Sequence, residues 1–297
     1  MGIFNLFKKK GTNDSKANAK RSSLETGIFF GWGEREEYEY NNYLKSIKRP
    51  IEESFISNSE FFKSATCPYC GFKLEKSPSK KTKCKNCHNY IYVRTNLITK
   101  EKMLLTEDQI KELDKEREEI AAKVHALETA LSDYDTWMEF KKVKKQLSEE
   151  NKNLKDFDII WGILNKQQIE YARQNNWGLF RNSHYGMFAI LNAEKRVKEA
   201  LEMLLEVCYY DINGPNNLSA TNGNIFKDFP PFDLKSGFTA PGLVSSIKEL
   251  KEQLNLQWDD VKNGFIERAT KVRIKTMPLS PEKAWEILYD DLYNGQD

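Results

Sequence analysis

The sequence predicts a mainly α fold, a helical body with a small β module inserted near the N-terminus. Three observations carry this. From residue 106 onward, apolar residues recur three and four apart over long stretches, the period of one helix face. Between residues 63 and 98 that period gives way to two close cysteine pairs, turn residues and short alternating runs. The chain has 297 residues, 12% of them aromatic, which is material for about two domains and an ample core. A mean hydropathy of −0.68 with 30% charged residues predicts a soluble protein without a membrane span.

The first element in order is a basic, polar tail over residues 1–24, turn-rich from Lys8 to Ser23 and expected to be disordered. Its apolar run, residues 3–7, precedes the lysines, whereas a secretory signal puts basic residues first. Leu6 stands where a myristoylation signal needs Ser or Thr, so Gly2 is set aside. Residues 25–62 form an aromatic-rich helical segment (Phe29, Phe30, Trp32, Tyr38, Tyr40, Tyr43) with a helix ending before Pro50. Glu34, Glu36, Glu37 and Glu39 read as a solvated face.

Next come Cys67 and Cys70, then thirteen residues, then Cys84 and Cys87. Four thiolates in two close pairs are what a tetrahedral zinc ion requires. Two other chemistries fit part of the pattern. Cys84, Cys87 and His88 match covalent haem attachment, which needs export to an oxidising compartment. Cys67 and Cys70 match a redox dithiol at a helix start, but Gly71 follows at once and residues 72–75 alternate like a strand. In the zinc reading each C-x-x-C is a tight turn whose backbone N–H groups point at sulfur, and Gly71 supplies a positive φ. Residues 72–76 and 90–95 are expected to be strands joined by the turn at Ser77, Pro78 and Ser79. His88 reads as solvated, or beside the site.

On the residues CPYCG, CKNC and YVR, the segment resembles a zinc ribbon, including ribbons of uncharacterised bacterial and phage proteins. The resemblance covers residues 65–96 of a module spanning 63–98. It implies one structural Zn2+ held by Cys67, Cys70, Cys84 and Cys87. The family serves DNA binding, RNA binding and protein docking alike, so the resemblance does not choose among them.

The module is also the charged part of a chain whose net charge is only +2. From Lys63 to Thr95 eight basic residues face the single acid Glu75. Lys80, Lys81, Lys83, Lys85 and Arg94 crowd the second cysteine pair, with Tyr69, Phe72, Tyr90 and Tyr92 interleaved. Phosphate contact and base stacking need these residue types, so DNA or RNA is the expected partner. The blander account makes the aromatics a cover for the metal and the lysines a solvated face.

Residues 104–151 hold two helices. Thr106 and Gln109 form a capping box, and Ile110, Leu113, Ile120, Val124, Leu127, Leu131, Tyr134 and Met138 follow a heptad stripe if Arg117 takes one seam position. A second helix over 136–151 carries Trp137, Phe140, Val143 and Leu147 on one face. The stripe predicts a hairpin or a coiled coil in a homodimer, and His125 flanks it.

Residues 156–297 form a helical C-terminal domain. Two amphipathic segments, 157–175 and 183–210, lie either side of Trp177, Gly178, Leu179 and Phe180, with Cys208 a buried thiol on the second. Ala193, Ala200 and Leu201 resemble one tetratricopeptide hairpin, but a single unit reads as an ordinary helix pair. The loop 211–242 holds four of nine prolines, with Phe226, Phe229, Phe232 and Phe238 expected to pin it down and Asn213 and Gly214 to cap a helix. Helices follow near 244–254 and 259–270. A last one starts at Ser280, Pro281 and Glu282 and carries Ala284, Trp285, Leu288 and Leu292.

No Gly-rich phosphate loop, nucleophile elbow or H-E-x-x-H is present, there are three histidines, and Asp259, Asp260 and Asp290, Asp291 are adjacent pairs that diverge on a helix. The sequence is therefore read as that of a cytoplasmic, non-enzymatic protein, its paired cysteines indicating a reducing compartment. It would bind nucleic acid through the basic ribbon and use the helical body for dimerisation or docking. Two other readings stand beside it: an adaptor whose ribbon and Phe/Pro-rich loop dock onto other proteins, and an enzyme with an unrecognised site.

Overall fold

The computed structural model describes residues 33–48, 57–96, 99–216 and 230–294. The tail 1–24, Phe29, Phe30 and Trp32, and Phe226 and Phe229 lie outside the described residues. Among the described residues the fold is mainly helical, ten α-helices and a three-stranded antiparallel sheet, and no helix is long and apolar enough to cross a membrane. Backbone contacts divide the chain after Glu128 into two units.

In the first unit, α1 (Glu34–Lys48) buries Tyr40 and Leu44 and leaves Tyr38 exposed. After α2 (Ser57–Lys63) come β1 (Thr82–Lys83), β2 (Tyr90–Thr95) and β3 (Lys102–Leu105), in the order β1-β2-β3. The strand expected over 72–76 does not form. That stretch folds back on the first cysteine turn instead, with a single bridge between Thr66 and Lys73, and Leu74 N–H donating to Ala65. The sheet extends past residue 98 because Met103, Leu104 and Leu105 are fully buried in β3, an apolar run with no alternation to mark it as a strand.

Register gives each face of this sheet its own task. Ile91, Val93 and Leu104 pack with Cys67, Cys84, Cys87, Phe61 and Phe62. On the other face Tyr92, Met103 and Leu105 pack against Ile110 and Leu113 of α3 (Glu107–Ala130). The capping box forms: Gln109 N–H donates to Thr106 Oγ1 at 3.2 Å and Thr106 N–H to Gln109 Oε1 at 3.0 Å.

The heptad stripe is not one seam. α3 stops at Ala130, and Asp133 starts α4 (Tyr134–Glu149) by accepting from Thr136 N–H at 2.9 Å, so Tyr134 and the exposed Met138 belong to the next helix. Val124 and Leu127 are buried within the chain, and Arg117 donates to the Thr95 carbonyl.

The second unit is an array of helices: α4, α5 (Asp156–Arg173), α6 (Trp177–Ala193), α7 (Val197–Asn213), α8 (Pro241–Gln253), α9 (Trp258–Lys271) and α10 (Pro281–Asn294). The segment 183–210, expected as one helix, is two, and Trp177 to Phe180 open α6 instead of interrupting a helix. The break falls at Lys195, which takes φ 61°. Asn151, Asn175 and Asn255 do the same after α4, α5 and α8. In each case the next N–H reaches back to the last turn, as Asn176 does to Tyr171 and Arg196 to Leu191, satisfying carbonyls the helix leaves open.

Helix α7 is the centre, contacting α6, α8, α9 and α10. Its apolar residues are buried, with Leu204, Leu205 and Cys208 packed among Ile247, Phe265, Ala284 and Leu288, while Lys198 and Glu199 stay exposed and Glu202, Glu206 and Asp211 are half-buried in ion pairs. Burial pushes the Cys208 thiol pKa far above its ordinary range. Gly214 ends α7 at φ 66°, and Asn213, fully buried, donates to Tyr209 O and accepts from Leu279 N–H at 2.8 Å. Phe232 is buried and stacks on Trp177, whereas Phe238 is 66% exposed and pins nothing.

Candidate metal centre

The two C-x-x-C turns repeat one hydrogen-bond pattern. In the first, Cys67 N–H donates to Phe72 O and Gly71 N–H to Cys67 O; in the second, Cys84 N–H donates to Asn89 O and His88 N–H to Cys84 O. Gly71 at φ 70° and His88 at φ 60° close their turns in the left-handed conformation. The second turn thus spends an ordinary side chain where the first uses glycine.

These turns bring the four thiol sulfurs within 4.8 Å of one another. Cys67 and Cys87 sulfurs are 3.8 Å apart, and those of Cys70 and Cys84 3.9 Å. Bridged cysteines would be about 2.05 Å apart, and all four are free. A tetrahedral thiolate site with metal–sulfur bonds of about 2.3 Å has edges of about 3.8 Å. The donor set therefore fits a metal ion, with one cysteine of each turn contributing to each close pair.

The surroundings treat the sulfurs unequally. Burial pushes the Cys67 thiol up to about 12, against the opposing pull of the Tyr69 and Cys70 N–H groups. Asn86 Nδ2, 3.5 Å from Cys70 Sγ, and the Phe72 N–H bring Cys70 down to about 6. The Cys84 thiol is lowered, first by the Cys87 N–H. Those amides stabilise thiolate charge before any cation does. Asn86 was not singled out by the sequence, since a lone Asn between two cysteines carries no signal of its own.

Of the basic residues named from the sequence, Lys80, Lys81, Lys83 and Lys85 are exposed and Arg94 is half-buried. Lys81 Nζ lies 4.6 Å from both the Tyr90 and Tyr92 ring centroids. Lys83 is directly opposite Tyr90 in the β1–β2 register. Lys85 pairs with Glu75 at 2.5 Å, and Arg94 pairs with Asp114 of α3 at 3.3 Å. The open patch thus narrows to Lys81 and Lys83 at Tyr90, which is 50% exposed, with the exposed Lys80 next to Lys81 in the chain.

A second concentration of charge, unannounced by the sequence, lies under α6 and α7. Arg181 grips Asp211 with two nitrogens, and Glu206 receives Tyr210 OH at 2.8 Å with His184 Nε2 3.2 Å away. Gln168 Nε2 meets His184 Nδ1 at 3.0 Å. Each group takes up another's hydrogen-bonding capacity, the behaviour of a packing network.

No family model, curated protein or solved structure matches this chain.

Proposed function

We propose that the four cysteines bind one structural Zn2+ and that the module they organise binds nucleic acid. Zinc is the fitting ion because four thiolates at tetrahedral spacing form a closed site with no position left for chemistry. The observation that carries nucleic-acid binding is the open end of the sheet: Tyr90 half-exposed, Lys83 opposite it and Lys81 over its ring. A base stacked on Tyr90 would leave its flanking phosphates within reach of Lys80, Lys81 and Lys83, which favours an unpaired strand. Arg94 and Lys85 are held by Asp114 and Glu75, so they are assigned the lesser part. The helical body carries the module and supplies surfaces for a protein partner or a second copy.

The test is fluorescence anisotropy with a labelled oligothymidine, comparing the parent with Lys80→Glu/Lys81→Glu/Lys83→Glu and with Tyr90→Ala. Binding is expected to fall in both, the lysine variant also losing about 0.7 from the log–log salt slope per phosphate contact removed. Full binding by a lysine variant that keeps its metal would overturn the nucleic-acid reading and favour protein docking by the same face.

A further inference from the structure

Helices α9 and α10 enclose a groove of about 540 Å³ on the second unit. Trp258, Trp285 and Tyr289 line it together with Asp259, Glu286 and Asp290, and Lys262 is the single cation. The aromatic residues are continuous: Trp285 is 6.0 Å from Tyr289, Tyr289 is 4.3 Å from Tyr293, and Tyr293 is 5.8 Å from Trp258. Lys251 Nζ of α8 already lies 5.0 Å over the Trp258 ring, the kind of cation this aromatic run accepts. The three lining carboxylates enter no salt bridge among the described residues. Glu286 and Asp290 stand four apart on one helix face, where like charges repel.

Rings with negative faces, framed by three carboxylates with Lys262 among them and Lys251 already seated on Trp258, repel phosphate and attract a cation with a flat or alkyl body. We infer that this groove is a docking surface for a basic peptide segment of a partner protein. Its arginine or lysine side chain lies along Tyr289 and Trp258, with the charge among Asp259, Glu286 and Asp290. Arginine fits better than lysine, because a planar guanidinium stacks on the rings and still presents N–H donors to carboxylates at its edge. The groove belongs to the second unit and the cysteines to the first, so neither reading depends on the other.

The experiment titrates the full chain into a fluorescein-labelled peptide of alternating glycine and arginine, with the glutamate analogue as control, at low and high salt. The arginine peptide is expected to bind and the glutamate peptide not. Asp259→Asn/Glu286→Gln/Asp290→Asn should weaken binding about tenfold or more, and Tyr289→Leu should weaken it separately, with helical circular dichroism unchanged in both. Equal binding by the carboxylate variant would overturn the inference. A peptide copying residues 8–21, with six basic residues and one aspartate, addresses the other occupant. If it binds at these carboxylates and the glycine–arginine peptide does not, the groove belongs to the chain's own N-terminal segment and the partner reading fails.

Discussion

Gly71 and His88 occupy the same position in two equivalent cysteine turns, each with a left-handed backbone and an N–H donating to the cysteine four residues earlier. A Cβ built on Gly71 meets nothing within 4 Å, so a side chain there costs conformation and not space. Left-handed backbone costs an L-residue about 1–2 kcal/mol, less for the polar residues that tolerate it. Gly71→Ala should therefore destabilise the module by about 1 kcal/mol. His88→Gly should stabilise it by a few tenths to about 1 kcal/mol, the gain being reduced by the entropy glycine adds to the unfolded chain. Denaturant unfolding of the metal-loaded protein, followed by a probe in the module, checks both. A loss of stability in His88→Gly would mean that the imidazole supports the site directly.

With zinc supplied, elemental analysis should give one ion per chain, and serine at any of the four cysteines should lower that ratio. Structural zinc contributes about 10–16 kcal/mol to small folded sites at neutral pH, more than a module of this size can replace. Chelation should accordingly unfold the sheet while far-ultraviolet circular dichroism keeps the signal of the second unit's helices. Loss of the whole helical signal on chelation would show that the two units fold as one.

Legibility in the sequence followed the range of the interaction. The cysteine set was readable because its chemistry is written in spacing, and the capping box of Thr106 and Gln109 because both partners lie within one turn. The end of α6 was not, since a lysine takes the left-handed position where Gly or Asn would have announced it. β3 carries no alternation because both its faces are covered. Arg181 and Asp211 lie thirty residues apart in sequence and meet only once α6 and α7 pack. Lys85 and Arg94 looked like free cations until the fold supplied Glu75 and Asp114.

The Arg181–Asp211 pair predicts a pH signature. Both side chains are largely buried, and burial raises the Asp211 carboxyl above its usual range by more than Arg181 lowers it. A carboxyl raised in the folded state contributes its stability below the unfolded pKa, about 3.9, and loses it as pH rises through the folded value. Arg181→Met removes the opposing cation and widens that window. Its destabilisation should be small near pH 4 and grow to about 3–5 kcal/mol by pH 7–8, where an unpaired carboxylate is left buried. Asp211→Leu in the same chain should recover much of the loss. Thermal unfolding across pH measures this, and a penalty independent of pH would assign Arg181 a packing role alone.

Two glycines of the second unit should respond in opposite directions to the same substitution. Gly214 ends α7 at φ 66°, and a Cβ there would lie 1.9 Å from the Asp233 carbonyl oxygen, a backbone atom that cannot swing aside. Gly214→Ala combines left-handed strain with that clash. Relief would pull Asp233 away and disturb Asn213, whose side chain holds Leu279 N–H. The expected loss is about 3 kcal/mol or more. Gly162 lies in the middle of α5, exposed, with nothing within 4 Å of its Cβ position. Gly162→Ala should gain about 0.8–1 kcal/mol, because alanine is the better helix former and gives the unfolded chain less freedom. Urea unfolding of the two variants beside the parent decides both. A Gly214→Ala chain as stable as the parent would mean that the turn after α7 is not held by Asp233, and an unchanged stability in Gly162→Ala would mean that α5 is already as ordered as its neighbours can make it.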